Sequence, residues 1–140
     1  EKVQNVALET ALFPGDAGYT AEVITTFGES VEAFAKRTGA RESCGGTPVV
    51  AALLSTAQRL LERPEARKIL ILLTDGHFER ENLRSVPEDV EAAGIELGVL
   101  LVGSNAADLW GRHCERIRDV RGVPTGIVKL MKRLLQAAPN

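Results

Sequence analysis

The feature that most constrains the fold is an uninterrupted aliphatic run at residues 69–73, followed by Thr74-Asp75-Gly76. Successive side chains of a strand point to opposite faces of a sheet, so a run without polar alternation predicts burial on both faces. Strands of this kind are typical of parallel sheets that are covered by helices. We therefore predict a buried strand from Lys68 to Thr74, ended by a turn at Asp75-Gly76.

A second buried strand is predicted at residues 95–102, ending at Gly103. Helical patterns surround these two strands. One helix is predicted to begin with Thr47 as its N-cap and Pro48 at its first helical position, and to run to Glu62. A second is predicted to open with a capping box at residues 85–88, to reach Ala93 and to end at Gly94. A closing helix is predicted to be capped by Thr125, with its apolar positions facing the core: Ile127, Leu130, Met131, Leu134 and Leu135.

The remaining elements are shorter. Strands are predicted at residues 6–13 and 20–27, and the turn between them allows antiparallel pairing. Short helices are expected at residues 30–38 and 106–112, and an edge strand at 115–120 with Ile117 and Val120 as its apolar positions. The alternation of strands and helices predicts an α/β, doubly wound, mostly parallel sheet with helices on both faces.

Length, charge and cysteine content indicate the class of protein and argue against several kinds of partner. The chain has 140 residues, and we expect residues 1–140 to form one domain. Its net charge is −2, with acidic and basic residues interspersed, which disfavours nucleic acid or an anionic membrane as a partner. No apolar run approaches the roughly 18 residues of a membrane span. Cys44 and Cys114 lack metal-binding spacing and indicate reduced thiols in a cytoplasmic protein.

Two oxygen-bearing residues are predicted to lie at one edge of the sheet. Sites in such sheets form just beyond the carboxyl ends of the strands, where Asp75 lies and onto which the helix beginning at Thr47 should open. A hydroxyl and a carboxylate suit Mg²⁺ or Mn²⁺, and the glycine pair Gly45-Gly46 allows close approach of an ion or a carboxylate. The alternative is that Thr47 only caps its helix and Asp75 only forms a turn.

Together these motifs resemble the von Willebrand factor type A family. The resemblance rests on Gly45-Gly46-Thr47-Pro48 opening a helix and on an aliphatic strand that ends in Thr74-Asp75-Gly76. It extends to the Phe13-Pro14-Gly15 turn, to residues 24–27, to Gly94-Ile95-Glu96 and to the closing helix, and so covers nearly the whole chain. The fold that it implies is the Rossmann-like fold predicted from the strand pattern.

The resemblance also implies a function. The family holds a divalent ion at an adhesion-type site built from an Asp-x-Ser-x-Ser loop, a threonine and an aspartate, and Thr47 and Asp75 match the last two. It implies a binding module in which an acidic residue of a protein partner completes the coordination of Mg²⁺ or Mn²⁺. Gly45, Gly46, Gly76 and His77 would form the partner-binding rim.

Within the family, Phe13-Pro14-Gly15 and the segment at residues 63–68 most resemble the domain that ends the T subunit of aerobic cobalt chelatase. That resemblance implies a partner AAA+ ATPase and a role in inserting metal into a corrin-type ring. The domain would belong to a multi-subunit enzyme without carrying its catalytic centre.

One part of the family pattern does not occur in the sequence, which contains no Asp-x-Ser-x-Ser motif. In the family this motif ends the first, central strand, and the first helix follows it. We therefore expect an N-terminally incomplete domain that lacks this strand, with upstream residues supplying it, and a strand from another chain as the less favoured option. Metal binding is then conditional on ligands beyond Thr47 and Asp75.

Two further functions are weighed against the binding module. The first is a metal-free scaffold of the same fold, in which Thr47 is only a helix cap. The second, less favoured, is a metal-dependent phosphohydrolase that uses Asp75, because no additional acidic ligand or phosphate clamp is identified near it. No nucleotide-binding glycine motif or serine-hydrolase elbow occurs in the chain.

Overall fold

The described part of the chain is built around a three-stranded parallel sheet. The computed structural model describes residues 6–13, 21–29, 48–77, 83, 85–103, 110 and 114–137. Its elements, in chain order, are β1 Thr10–Leu12, β2 Glu22–Thr25, α1 Val49–Leu61, β3 Lys68–Thr74, α2 Val86–Ala92, β4 Ile95–Val102, β5 Cys114–Ile117, a 3₁₀ turn Val120–Gly122 and α3 Val123–Gln136.

The parallel sheet has the order β3-β4-β5. Strand β3 pairs with β4 along its whole length, from Lys68 opposite Ile95 to Thr74 opposite Leu101. Strand β4 also pairs with β5 in parallel, from Val99 opposite Cys114 to Val102 opposite Ile117. The predicted parallel α/β fold and the bounds of β3 and β4 are therefore confirmed.

Strands β1 and β2 form a separate antiparallel pair that is shorter than predicted. Thr10 lies opposite Thr25 and Leu12 opposite Glu22, with an irregularity after Thr10. The expected strands at residues 6–13 and 20–27 thus narrow to three and four residues. Among the described strands this pair is not hydrogen-bonded to the parallel sheet. An ion pair of 2.8 Å between Arg59 Nε and Glu9 Oε1 connects the segment before β1 to α1.

One face of the parallel sheet packs against α1 and α2. Alternate residues of β3 and β4 form a buried cluster with apolar residues of both helices, and Trp110, which is only 2% exposed, belongs to it. The strand members are Leu70, Leu72, Ile95, Leu97, Val99 and Leu101, and the helix members are Val49, Leu53, Ala57, Val86 and Val90. Their burial is the dominant favourable contribution to folding.

The other face packs against α3. Leu100 of β4 forms a second buried cluster with Leu130 and Leu134 of the helix, and half-buried residues of the neighbouring strands surround it. Gly98 provides the room, because a Cβ atom there would lie 3.0 Å from the side chains of both leucines. Helices therefore cover both faces of the sheet, as predicted. No helix of the described residues is long and apolar enough to cross a membrane.

The predicted starts of α1 and α3 are wrong, whereas Ser85 is the N-cap position of α2, as predicted. Pro48 is the N-cap of α1 rather than its first helical residue, and its carbonyl accepts the Ala52 N–H at 3.0 Å. Ser85 precedes α2 but makes no side-chain capping bond. Thr125 lies inside α3, which begins at Val123 because the preceding 3₁₀ turn continues directly into the helix.

The C-terminal part differs from the prediction at three further positions. Strand β5 covers Cys114–Ile117, and Val120 is exposed in the 3₁₀ turn, where the Asp119 side chain accepts the Arg121 N–H. Leu135 is 40% exposed and does not face the core. The helix predictions at residues 30–38 and 106–112 concern segments outside the described residues, apart from the buried Trp110.

Arg67 joins the start of β3 to the end of α3. Its Nε and one terminal nitrogen each donate to Glu96 at 2.7 Å, which makes a bidentate ion pair with β4. The same guanidinium donates to the carbonyl oxygens of Leu134, Leu135 and Ala137. A cation at a helix C-terminus satisfies carbonyl groups that have no partner within the helix.

We predict that Gly126→Ala destabilises the protein. A Cβ atom at this position would lie 2.7 Å from Leu100 Cδ1 and 2.9 Å from Ile117 Cγ2. The overpacking should cost about 1–3 kcal/mol and exceed the gain of at most about 1 kcal/mol in helix propensity. Urea unfolding should show a lower midpoint with an unchanged slope.

Thr125→Ala is the matched control for that substitution. Thr125 is exposed in the same helical turn and makes no capping bond, so its loss should change the free energy of unfolding by less than about 0.5 kcal/mol. A stable Gly126→Ala variant would contradict the close contact between α3 and the sheet. A decrease of about 1 kcal/mol in the free energy of unfolding of Thr125→Ala would instead indicate that Thr125 caps α3, as predicted from the sequence.

Candidate functional site

Asp75 is the first residue beyond the carboxyl end of β3. Thr74 before it is buried and pairs with Leu101, whereas the Asp75 side chain is 65% exposed. An exposed carboxylate therefore follows directly after a strand that is held in place by its hydrogen bonds to β4. An exposed carboxylate on a rigid support is the arrangement expected of a ligand-binding residue at the edge of a parallel sheet.

Two local hydrogen bonds determine the conformation of the turn that contains Asp75. The Thr74 hydroxyl oxygen accepts the Gly76 N–H at 3.1 Å, and Asp75 Oδ1 accepts the His77 N–H at 3.0 Å. Gly76 has a φ of 80°, a left-handed conformation that favours glycine. Both side chains thus bond backbone amides two residues further along the chain, and they fix the direction in which the chain leaves the sheet.

His77 lies beside the carboxylate. Its Nδ1 is 3.4 Å from Asp75 Oδ2, and its side chain is 88% exposed. Since nothing buries the ring, it is free to turn away from Asp75 when a ligand binds. The predicted rim residues Gly76 and His77 therefore do lie next to Asp75, whereas Gly45 and Gly46 lie outside the described residues.

The end of β4 lies at the same edge of the sheet. Val102 ends the strand and Gly103 follows with a φ of 66°, its N–H donating to the Ile117 carbonyl oxygen at 2.9 Å. Because β3 and β4 are parallel, Asp75 and Gly103 directly follow neighbouring strands at one edge of the sheet. The convergence predicted from the sequence, that of Thr47 with Asp75, is a separate prediction.

The N-terminus of α1 also faces this edge. Six residues, 62–67, connect the end of α1 to the start of β3, so the helix runs antiparallel to the strand. A helix of thirteen residues is about 20 Å long and a strand of seven is about 23 Å, so Pro48 lies near the level of Thr74. Thr47 itself lies outside the described residues, and its predicted position next to Asp75 stays a prediction.

The donor chemistry at this edge suits a hard divalent cation but is incomplete. Among the described residues no group of three or more His, Cys, Asp and Glu side chains is placed to hold a metal ion. Asp75 offers carboxylate oxygens, and a threonine hydroxyl at position 47 would add another hard oxygen. These residues fit Mg²⁺ or Mn²⁺ as part of a ligand set, with further oxygens required.

Thr74 has a role in the turn that was not predicted from the sequence. The aliphatic run predicts Thr74 only as the last residue of β3, whereas in the structure its hydroxyl oxygen accepts an amide hydrogen of the turn that carries Asp75. A threonine directly before Asp-Gly at a strand end is the signal that could have indicated this contact, because hydroxyl groups commonly bond a backbone N–H two residues away.

Comparison with known proteins supports the fold. No family model and no curated protein matches the chain. A solved structure does match, described as the crystal structure of the conserved hypothetical protein BatB from Bacteroides thetaiotaomicron. The TM-score is 0.67 at 13% sequence identity, and the match covers 96% of this chain and 82% of that one. At this identity the likeness shows a shared α/β fold.

We predict that Gly76→Ala strains the turn that carries Asp75. A left-handed conformation costs a residue with a Cβ atom about 1–2 kcal/mol, which should appear in urea unfolding as a lower midpoint. Gly76→Asn should lose less, because asparagine tolerates this conformation better. Equal stability of wild type and Gly76→Ala would mean that the turn does not hold its positive φ in solution.

Proposed function

We propose that this protein is a metal-ion-dependent protein-interaction module. The observation that carries the proposal is the exposed Asp75 carboxylate, fixed at the carboxyl end of a buried parallel strand. An ion at this position would be bound by Asp75, directly or through water, with Thr47 as the second expected ligand. An acidic residue of a protein partner would then complete the coordination.

Three features support this function over a purely structural turn. The side chain of Asp75 is exposed although Thr74 directly before it is buried, so its ligand-binding oxygens are accessible. Gly103 follows the end of the neighbouring strand at the same edge and has no side chain to obstruct a ligand. The neighbour of the carboxylate, His77, is also exposed, so its imidazole is accessible to a partner that approaches Asp75.

The proposal includes a finer assignment. The resemblance to the cobalt chelatase T subunit suggests an AAA+ ATPase as the partner, and the reduced thiols predicted from the sequence suggest a cytoplasmic location. The competing function is a metal-free scaffold. It is favoured by the contacts of both Asp75 oxygens with His77, which give the carboxylate a structural role without an ion.

Titration with MnCl₂ tests the metal site. In a ¹⁵N-labelled sample, Mn²⁺ should broaden the amide signals of Gly76 and His77 before all others, and excess Mg²⁺ should reverse the effect. Asp75→Asn removes the charged oxygen ligand and should weaken the apparent affinity by at least about tenfold. Thr47→Val should weaken it as well, since valine keeps the shape without the hydroxyl.

Asp119→Asn is the matched control. Asp119 is another exposed aspartate in a turn whose side chain accepts an N–H two residues on, at 2.9 Å from Arg121 N. The Arg121 side chain, by hydrogen bonding, lowers the pKa of Asp119, so this carboxylate is already paired. If Mn²⁺ broadens the amide signals around residues 75 and 119 equally, the metal-free scaffold is favoured. The same holds if the broadening near residue 75 persists in Asp75→Asn.

A further inference from the structure

Asp75 has one carboxylate oxygen that takes no part in the hydrogen bonds of the turn. Its Oδ1 accepts the backbone N–H of His77, whereas its Oδ2 lies 3.4 Å from the ring nitrogen Nδ1 of the same histidine. No lysine or arginine among the described residues forms an ion pair with this carboxylate. Oδ2 is therefore available to a cation from solution, and a nitrogen donor lies beside it.

The distance between Oδ2 and Nδ1 suits two ligands of one metal ion. At 3.4 Å it is long for a charge-assisted hydrogen bond, which is about 2.7–2.9 Å. Donor atoms that are each about 2.1 Å from an ion lie about 3.0 Å apart in octahedral geometry and about 3.4 Å apart in tetrahedral geometry. The carboxylate oxygen and the ring nitrogen can therefore bind the same ion with the turn as it stands.

The backbone of the turn holds the two residues close together. Gly76 between them has a φ of 80°, and its N–H donates to the Thr74 hydroxyl oxygen at 3.1 Å. The bond from the His77 N–H to Asp75 Oδ1 closes the other side of the turn. Because these contacts already order the backbone, an ion has to fix only the His77 ring and one carboxylate oxygen, and little entropy is lost on binding.

The side-chain contact between Asp75 and His77 is not needed to hold the turn. The two side chains are 65% and 88% exposed, and ion pairs between exposed groups contribute little to stability. The conformation of the turn is already given by its two bonds to backbone amides. An imidazole beside an exposed carboxylate is therefore free to serve a ligand.

An imidazole ligand changes which ions the edge of the sheet prefers. Mg²⁺ takes oxygen ligands and loses its bound water reluctantly. Transition-metal ions accept an imidazole nitrogen together with a carboxylate oxygen, and their affinity for such a site increases from Mn²⁺ to Ni²⁺. A site that contains His77 should therefore distinguish these ions from Mg²⁺, whereas a site of oxygen ligands alone would do so less.

We propose that His77 is a ligand of the ion at Asp75, through Nδ1, and that the site therefore prefers transition-metal ions to Mg²⁺. This inference rests on the metal-dependent function proposed above and adds to it a nitrogen ligand and a class of ion. Asp75 Oδ2 and His77 Nδ1 bind the ion from the chain's own turn. The other positions remain for Thr47, the second expected ligand, for water and for the acidic residue of a partner.

Pulsed electron paramagnetic resonance of bound Mn²⁺ tests for the nitrogen ligand directly. The modulation of the electron spin echo detects a ¹⁴N nucleus bonded to the ion, and carboxylate and water ligands contain no nitrogen. The full chain with less than one equivalent of MnCl₂ should show the modulation of an imidazole, and His77→Ala should lose it. His113→Ala is the matched control, because the chain has two histidines, and it should keep the modulation.

Competition between ions measures the preference. The signal of free Mn²⁺ gives the affinity for Mn²⁺, and its increase on addition of MgCl₂ or NiCl₂ gives the affinities for the competing ions. In His77→Ala the affinities for Mn²⁺ and Ni²⁺ should fall by at least about fivefold, and that for Mg²⁺ by less than about twofold. The replaced side chain is 88% exposed, so the fold should be unchanged.

Three results would overturn the proposal, and they separate it from the proposed function. If Asp75→Asn abolishes Mn²⁺ binding but bound Mn²⁺ shows no ¹⁴N modulation, the metal-dependent function stands and His77 is not a ligand. If His113→Ala removes the modulation, the nitrogen ligand is the other histidine. If Mn²⁺ binding is unchanged in Asp75→Asn, the ion lies elsewhere, and the proposed function fails together with this inference.

Discussion

The burial of β4 on both faces is the constraint on which the other described elements depend. Val99, Leu100 and Leu101 are completely inaccessible, and they point alternately to the α1–α2 side and to the α3 side. Neighbouring strands give the same eight-residue strand a hydrogen-bonding partner on each edge. Moving its register by one residue would exchange its two faces, so α1, α2 and α3 all take their positions from this strand.

The candidate site follows from that arrangement. Strand β3 is fixed along its whole length against β4, so the position of Asp75 depends on packing many residues away. The turn after it is then determined by two local contacts, from Thr74 and Asp75 to the amides that follow. A rigid strand and a short bonded turn together hold an otherwise exposed carboxylate at a defined place, which reduces the entropy lost when a ligand binds.

The sequence predicted β3 and β4 accurately because their aliphatic runs have strand length and end in glycine-containing turns. It failed at the starts of α1 and α3: Pro48 is the N-cap of α1, and Thr125 lies inside α3 because the preceding 3₁₀ turn continues directly into the helix at Val123. Leu135 was misplaced because helical spacing alone does not show how far a helix covers the sheet. Asp75 was predictable from its place after a buried strand, whereas the contact between Thr74 and Gly76 depends on turn geometry.

The contacts of Arg67 link parts of the chain that are made far apart in time. During synthesis Arg67 and Glu96 leave the ribosome well before the carbonyl groups of Leu134 and Ala137, which share the same guanidinium. In a nascent chain that stops before these carbonyl groups, Arg67 can pair with Glu96 at the amino-terminal ends of β3 and β4, but some of its N–H groups have no acceptor in the last turn of α3. The last turn of α3 therefore closes the described structure at the end opposite Asp75, and the contacts of Arg67 are complete only after Ala137 has been added to the chain.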